Sequence, residues 1–97
     1  MNTVVFRLPA DVTIRTVSDL KSELGGLLHQ IGHVNLDAQD ISRIDAIGLQ
    51  LILIFRRHLA AEKRNVHISN ASASLLKVAT TLGLATAIAD DATDESA

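Results

Sequence analysis

Asp45 is the side chain of this sequence best placed to do chemistry. It opens the run Asp45-Ala46-Ile47-Gly48-Leu49, a sharp strand-to-helix turn ahead of the most apolar stretch of the chain, residues 49–59. A carboxylate at a helix entrance accepts backbone N–H bonds, here from Ile47 or Gly48, and meets the positive end of the helix dipole. A helix cap alone would explain the residue; a binding turn is the functional reading beside it. Gly48 lets the backbone turn tightly beside the strand and leaves the helix entrance open to a partner. His29, His33, His58 and His67 show no metal-ligand spacing with one another. His29 and His33 are four apart, but Gly32 stands between them at an expected helix end, so they make no two-ligand site. No Ser-His-Asp order, glycine-rich phosphate loop or paired carboxylate in an apolar cleft can be assembled. The absence of Cys excludes a thiolate nucleophile, a disulfide framework and a cysteine zinc site. The sequence therefore reads as a binding protein and not an enzyme, with no metal and no cofactor.

The elements that must hold this turn follow from apolar periodicity. Val4, Phe6 and Leu8 alternate with Val5 and Arg7, a strand that Pro9 ends. Val12-Thr13-Ile14 is a second β-prone stretch, either a short partner strand or an extended approach to the first helix. Thr16 and Asp19 have the spacing of a capping box, with Asp in place of Glu, and Val17, Leu20, Leu24, Leu27, Leu28 and Ile31 recur at helical spacing. Gly25-Gly26 inside that helix either loosens it or admits a neighbouring backbone. His33–Asp37 reads as a buried strand, 39–44 as the loop that delivers the turn, and residues 47–62 as the second helix. Val66-His67-Ile68 makes a third strand. Ser72 caps a third helix carrying Leu75, Leu76, Ala79 and Leu82, Gly83 takes the left-handed C-terminal position, and Leu84 is its hydrophobic partner. Ala87-Ile88 adds a short edge strand, and the acidic residues 90–97 read as a disordered tail to a single domain of residues 1–89. Strands alternating with helices on one small sheet make an α/β sandwich.

The second helix carries an anomaly. Leu49, Ile52, Leu53, Phe55, Leu59 and Ala60 form a broad core-facing arc, while Leu51 and Ile54 fall outside it near His58. Either they form a protein-binding surface with His58 beside the Asp45 turn, or another helix or a second copy of the chain covers them. Arg56 projects into the middle of the apolar arc, its stem along the core and its guanidinium reaching the edge.

Residues 34–49 read Val-Asn-Leu-Asp-Ala-Gln-Asp-Ile-Ser-Arg-Ile-Asp-Ala-Ile-Gly-Leu. This run resembles the STAS domain pattern Asp-Leu-Ser-x-Val-x-x-Ile-Asp-Ser-Ser-Gly-Leu, in register at Asp37, Ile44, Asp45, Gly48 and Leu49. Ser72 to Leu84 is similar to the last helix of the family, and the resemblance covers residues 4–88. It implies a mixed sheet of four or five strands with helices packed mainly on one face. It also implies protein binding through the turn. In the anti-sigma factor antagonists of the family, the residue before the glycine is a serine or threonine phosphorylated by a partner kinase. Ile47 occupies that phosphoacceptor-equivalent position here, and Ala46 precedes it, so neither offers a hydroxyl. Ser42, three residues before Asp45, and Thr13, where antagonists tend to carry an acidic residue, are the substitute phosphoacceptors to check. The plainer reading is a loop hydroxyl and a strand threonine.

The function implied is a stand-alone regulatory adaptor without the phosphorylation switch, in a bacterial signalling or chemotaxis pathway. Its partner would be an anti-sigma, kinase-like or other signalling protein, met through Asp45, Ala46, Ile47, Gly48, Leu51, Ile54 and His58. The alternative is the STAS subunit of a lipid-transport ABC complex, bound to its ATPase subunit. Composition bounds the rest. Ninety-seven residues and a formal net charge of −2 describe one small, ordinary domain. Basic residues gather into no face, and two Phe with no Trp or Tyr give no base-stacking platform, which argues against nucleic acid. With no signal peptide ahead of Thr3, and a longest apolar run (residues 51–55) far short of the roughly 20 residues a membrane helix needs, the expected location is cytoplasmic without membrane insertion.

Overall fold

The computed structural model describes residues 3–30 and 32–85. Among them the chain runs β1 (Thr3–Arg7), β2 (Asp11–Val12), α1 (Val17–Leu28), β3 (His33–Asp37), β4 (Arg43–Ile44), α2 (Ala46–Ala61), β5 (Val66–Ser69) and α3 (Ala73–Thr81). The expected edge strand at Ala87-Ile88, Ile31 of the first-helix pattern and the acidic tail lie outside the described residues.

The strands form two sheets, both parallel: three strands in the order β1-β3-β5, and the short pair β2-β4. Of the mixed four- or five-stranded sheet expected above, the described residues show five parallel strands divided between two sheets, and Pro9 supplies the reason for the division between β1 and β2. Leu8 N–H still donates to Asp37 O (2.9 Å), but proline has no N–H to extend the ladder. The chain resumes pairing only at Asp11 and Val12, now opposite Arg43 and Ile44. In the larger sheet Val4, Val34 and Val66 lie in register, as do Phe6, Leu36 and Ile68. These side chains face the helices and join Leu20, Leu24, Leu49, Ile52, Leu59 and Leu75 in one core. The alternate positions Val5, Asn35 and His67 point the other way, so β3 alternates between buried and half-buried residues and is not the wholly buried strand its sequence suggested.

Helix ends mix fulfilled and overturned expectations. Ser72 Oγ accepts from Leu75 N–H (3.1 Å) at the start of α3. At its end Gly83 takes φ 73°, and Leu84 N–H reaches back to Ala79 O (2.7 Å), closing the helix as a left-handed glycine cap does. Of the apolar residues of α3, Leu75 and Ala79 are buried, but Leu76 and Leu82 are exposed. The capping box at α1 does not form: Thr16 Oγ1 instead accepts from Thr13 N–H (3.1 Å) and donates to Asp11 O (2.8 Å), so the hydroxyl belongs to the preceding turn. A Cβ at Gly25 or Gly26 would meet no neighbouring element within 4 Å, so the pair loosens the helix and admits no close neighbour. Two C-terminal carbonyls of α1 are met from a distance by Arg64, whose guanidinium donates to Leu27 O and Leu28 O at 3.1 and 3.3 Å and to Gly32 O, just ahead of β3, at 2.6 Å.

Candidate functional site

The turn between β4 and α2 is built on Asp45. Its extended backbone (φ −121°, ψ −178°) places it as the N-cap of α2, and Oδ1 accepts from Gly48 N–H at 2.8 Å. The second oxygen is engaged as well. Oδ2 accepts from Ile14 N–H at 3.0 Å, across 31 positions of sequence. The backbone bonds from Gly48 and Ile14 hold the carboxyl below the usual aspartate range, because both donors favour the charged form. Asp45 thus fastens the loop after β2 to the start of α2, and its backbone N–H adds a bond to Val12 O (3.3 Å).

Gly48 completes that joint. It is buried, and a Cβ at this position would penetrate the Val12 carbonyl oxygen and lie 2.8 Å from Val12 Cγ1. The space freed by glycine is filled by β2 from within the molecule, which corrects the expectation that it stands open to a partner. Ala46, beside it, is half-buried.

Two apolar side chains flank the fastened carboxylate. Ile47 is 44% exposed, and Ile14, which the sequence offered only as part of a β-prone stretch, is 67% exposed. β2 stops at Val12, so Ile14 lies in the turn beyond it and not in a strand. Its exposure could not be read from local pattern, since the bond that fixes it comes from Asp45.

From Ile47 a stripe continues along α2 through Leu51, Ile54 and His58, four, seven and eleven residues on, which puts them on one helical face. Ile54 is 59% exposed and His58 is exposed, whereas Leu51 is half-buried and packs against the core. Leu51 therefore joins the stripe only by its edge. On the opposite side Leu49, Ile52, Phe55 and Leu59 are buried as expected, Leu53 is half-buried, and Ala60, placed in the arc by projection, is exposed near the helix end. Arg56 is half-buried.

The candidate hydroxyls separate cleanly. Thr13 is only 7% exposed, and its hydroxyl donates to Asp11 Oδ1 at 2.7 Å and accepts from Arg15 N–H, so it is closed to a modifying enzyme. Ser42 is exposed, with a long 3.4 Å bond to Ala10 O. Asp37 accepts from Gln39 N–H (3.0 Å) and Asn70 Nδ2 (3.3 Å), satisfying loop donors. The histidines do not converge: His33 Nδ1 accepts from Asn65 N–H (3.0 Å), and among the described residues no three His, Cys, Asp or Glu side chains are placed to hold a metal ion. Nor is any helix of the described residues long and apolar enough to cross a membrane. The site offers a fixed backbone turn rimmed by isoleucines, a geometry suited to contact with another surface.

A family model described as "Mlab, STAS domain" matches residues 1–90. No curated protein and no solved structure matches the chain. STAS domains are in general non-catalytic modules that mediate protein–protein contacts, in antagonist-like regulation or in association with transporters. With the motif of residues 34–49 folded into the turn just described and the match spanning nearly all its length, the chain belongs to the STAS domain family.

Proposed function

We propose that this chain is a non-enzymatic, cytoplasmic regulatory adaptor that binds a signalling protein through the Asp45 turn, as anti-sigma factor antagonists do, but without a phosphorylation switch. The observation that carries the reading is Ile47: an exposed apolar side chain at the position that bears the switch hydroxyl in antagonists. A phosphoryl group there would add close to two negative charges beside Asp45, and the isoleucine forbids it. The turn stays permanently apolar, equivalent to the unphosphorylated, binding-competent form. Ile14, Ile47, Ile54 and His58 make the contact surface, with Ala46 and the edge of Leu51 at its border, while Asp45 and Gly48 shape the turn from within.

The association of STAS domains with transporters keeps a second reading, a STAS subunit bound to the ATPase subunit of a lipid-transport ABC complex. Both readings use the same surface and differ in the partner. Affinity capture with wild-type protein and an Ile47→Asp variant, both checked by circular dichroism, tests them together. A partner held by wild type and lost from the folded variant supports binding at the turn, and its identity as a kinase-like regulator or an ATPase subunit decides between the readings. Equal capture by both proteins removes the turn as the interface and ends the antagonist analogy.

A further inference from the structure

A groove of about 480 Å³ runs between the α2 entrance and α3. Ile44, Val78 and Leu82 give it an apolar lining, and Arg43 and Lys77 line it too. Both cations are exposed, and among the described residues neither side chain makes an ion pair or a hydrogen bond. Asp45 also lines the groove; its oxygens accept from the backbone N–H groups of Ile14 and Gly48, neutral donors that leave its negative charge in place. The charged lining therefore sums to +1, with two exposed cations that form no ion pair, on a chain whose formal net charge is −2. Such a pair is a recognition field for carboxylates and not a consequence of overall composition. Leu82, 43% exposed at the end of α3, adds apolar surface that folding leaves uncovered.

We propose that this groove receives an acidic segment of the partner protein, with carboxylates meeting Arg43 and Lys77 and an apolar side chain lying against Ile44, Val78 and Leu82. The inference rests on the reading of this chain as a protein-binding module and names the chemistry of what it binds. The groove and the isoleucine-rimmed turn share Asp45 and Ala46, so one partner can cover both. The isoleucines supply an apolar contact on one side of the α2 entrance, and the cations fix orientation on the other.

Isotope-labelled full-length protein, titrated at low salt with a twelve-residue Glu-rich peptide bearing two Leu, tests this by amide chemical shifts. A peptide with Lys for every Glu is the control. The Glu peptide is expected to shift the amides of Arg43, Lys77, Val78 and Leu82, and to bind about tenfold more weakly to Arg43→Glu/Lys77→Glu. The Lys peptide is expected not to bind. Shifts elsewhere, equal binding of both peptides, or an affinity unchanged in the double variant would overturn the proposal. So would binding that emerges only when Asp90, Asp91, Asp94 and Glu95 are replaced by their amides, since the chain's own acidic residues would then be the occupant. The outcome is separable from the preceding experiment: a peptide indifferent to the groove, with capture still lost in Ile47→Asp, defeats this inference alone. Peptide binding in the groove with capture indifferent to Ile47→Asp defeats the turn.

Discussion

Three glycines inside helices give a test of how the turn is held, because the same substitution should act with opposite signs. Gly25 and Gly26 lie in α1 with open space where a Cβ would go, and Gly48 lies in α2 against Val12. Alanine at position 25 or 26 gains about 0.5–1 kcal/mol each from helix propensity and reduced freedom of the unfolded chain, and meets nothing that offsets it. Alanine at 48 gains the same propensity but drives its methyl into the Val12 carbonyl group, with Cγ1 of the same residue 2.8 Å away. That carbonyl is backbone, fixed by pairing of β2 with β4 and by the bond from Asp45 N–H, so it cannot swing aside as a side-chain tip would. Overpacking of this kind costs about 1–3 kcal/mol, and loss of the Asp45 bond adds about 1 kcal/mol, leaving a net loss of about 2 kcal/mol after the propensity gain. For a domain of this size that is a fall in Tm of about 10 °C, against rises of about 4 °C for Gly25→Ala and Gly26→Ala. Thermal and urea unfolding followed by circular dichroism measures all three. A Gly48→Ala protein as stable as wild type would refute the claim that β2 occupies the space beside Gly48. Destabilisation by Gly25→Ala or Gly26→Ala would refute the reading of that pair as unpacked.

Further expectations concern the charges and the exposed isoleucine. Asp45→Asn keeps a capping side chain and removes the charge. Because the folded pKa of Asp45 is lowered, its contribution is full above the unfolded pKa of about 4 and is lost as pH falls through the folded value. Urea midpoints from pH 7 to pH 2.5 should therefore show a wild-type advantage at neutral pH that closes in acid, and a pH-independent gap would contradict the assignment. Arg64→Met removes a guanidinium side chain that is 11% exposed and bonded to two carbonyls at the end of α1 and to Gly32 O, so it should destabilise by about 2–3 kcal/mol in urea unfolding, with Arg64→Lys recovering only part of the loss. Ile47→Asp forfeits about 1 kcal/mol of partial burial and regains much of it from the helix dipole, so its stability should stay within about 1 kcal/mol of wild type and its binding phenotype can be read as such.

Local signals in this chain carried local structure well. Ser72, Gly83 and Leu84 announce the ends of α3 because capping needs only residues a few positions apart, and Asp45 announces the start of α2 for the same reason. Inward alternation in β1 was legible because the sheet has one helix-covered face, whereas β3 read as a buried strand and shows its alternation only once folded. What escaped was long-range. In sequence Arg64 is only the second of two adjacent basic residues, Lys63-Arg64, yet it closes a helix 36 and 37 positions away. The β2-β4 pair is two residues per strand, too short to leave a periodicity. Thr16 had the spacing of a capping box, but its hydroxyl can serve only one arrangement, and the Asp11–Thr13 turn claims it.

The same division explains why the candidate surface was half-visible. Leu51, Ile54 and His58 stand out because a helix projection exposes any residue outside its apolar arc, and Ile47 because it takes the phosphoacceptor-equivalent position of the family pattern. Ile14 had no such frame: it becomes part of the surface only because Asp45 uses its second oxygen 31 residues away. One carboxylate therefore sets both the start of α2 and the position of the loop that faces it. With Gly48 closed against Val12 behind the turn, Ile14 and Ile47 gain their fixed exposure from contacts made within the molecule. Substitutions at Asp45 or Gly48 should act on binding through the shape of the turn and so appear in unfolding experiments. Substitutions at Ile14 or Ile47 should change binding while leaving the fold nearly untouched, and that separation distinguishes the residues that make the surface from those that hold it.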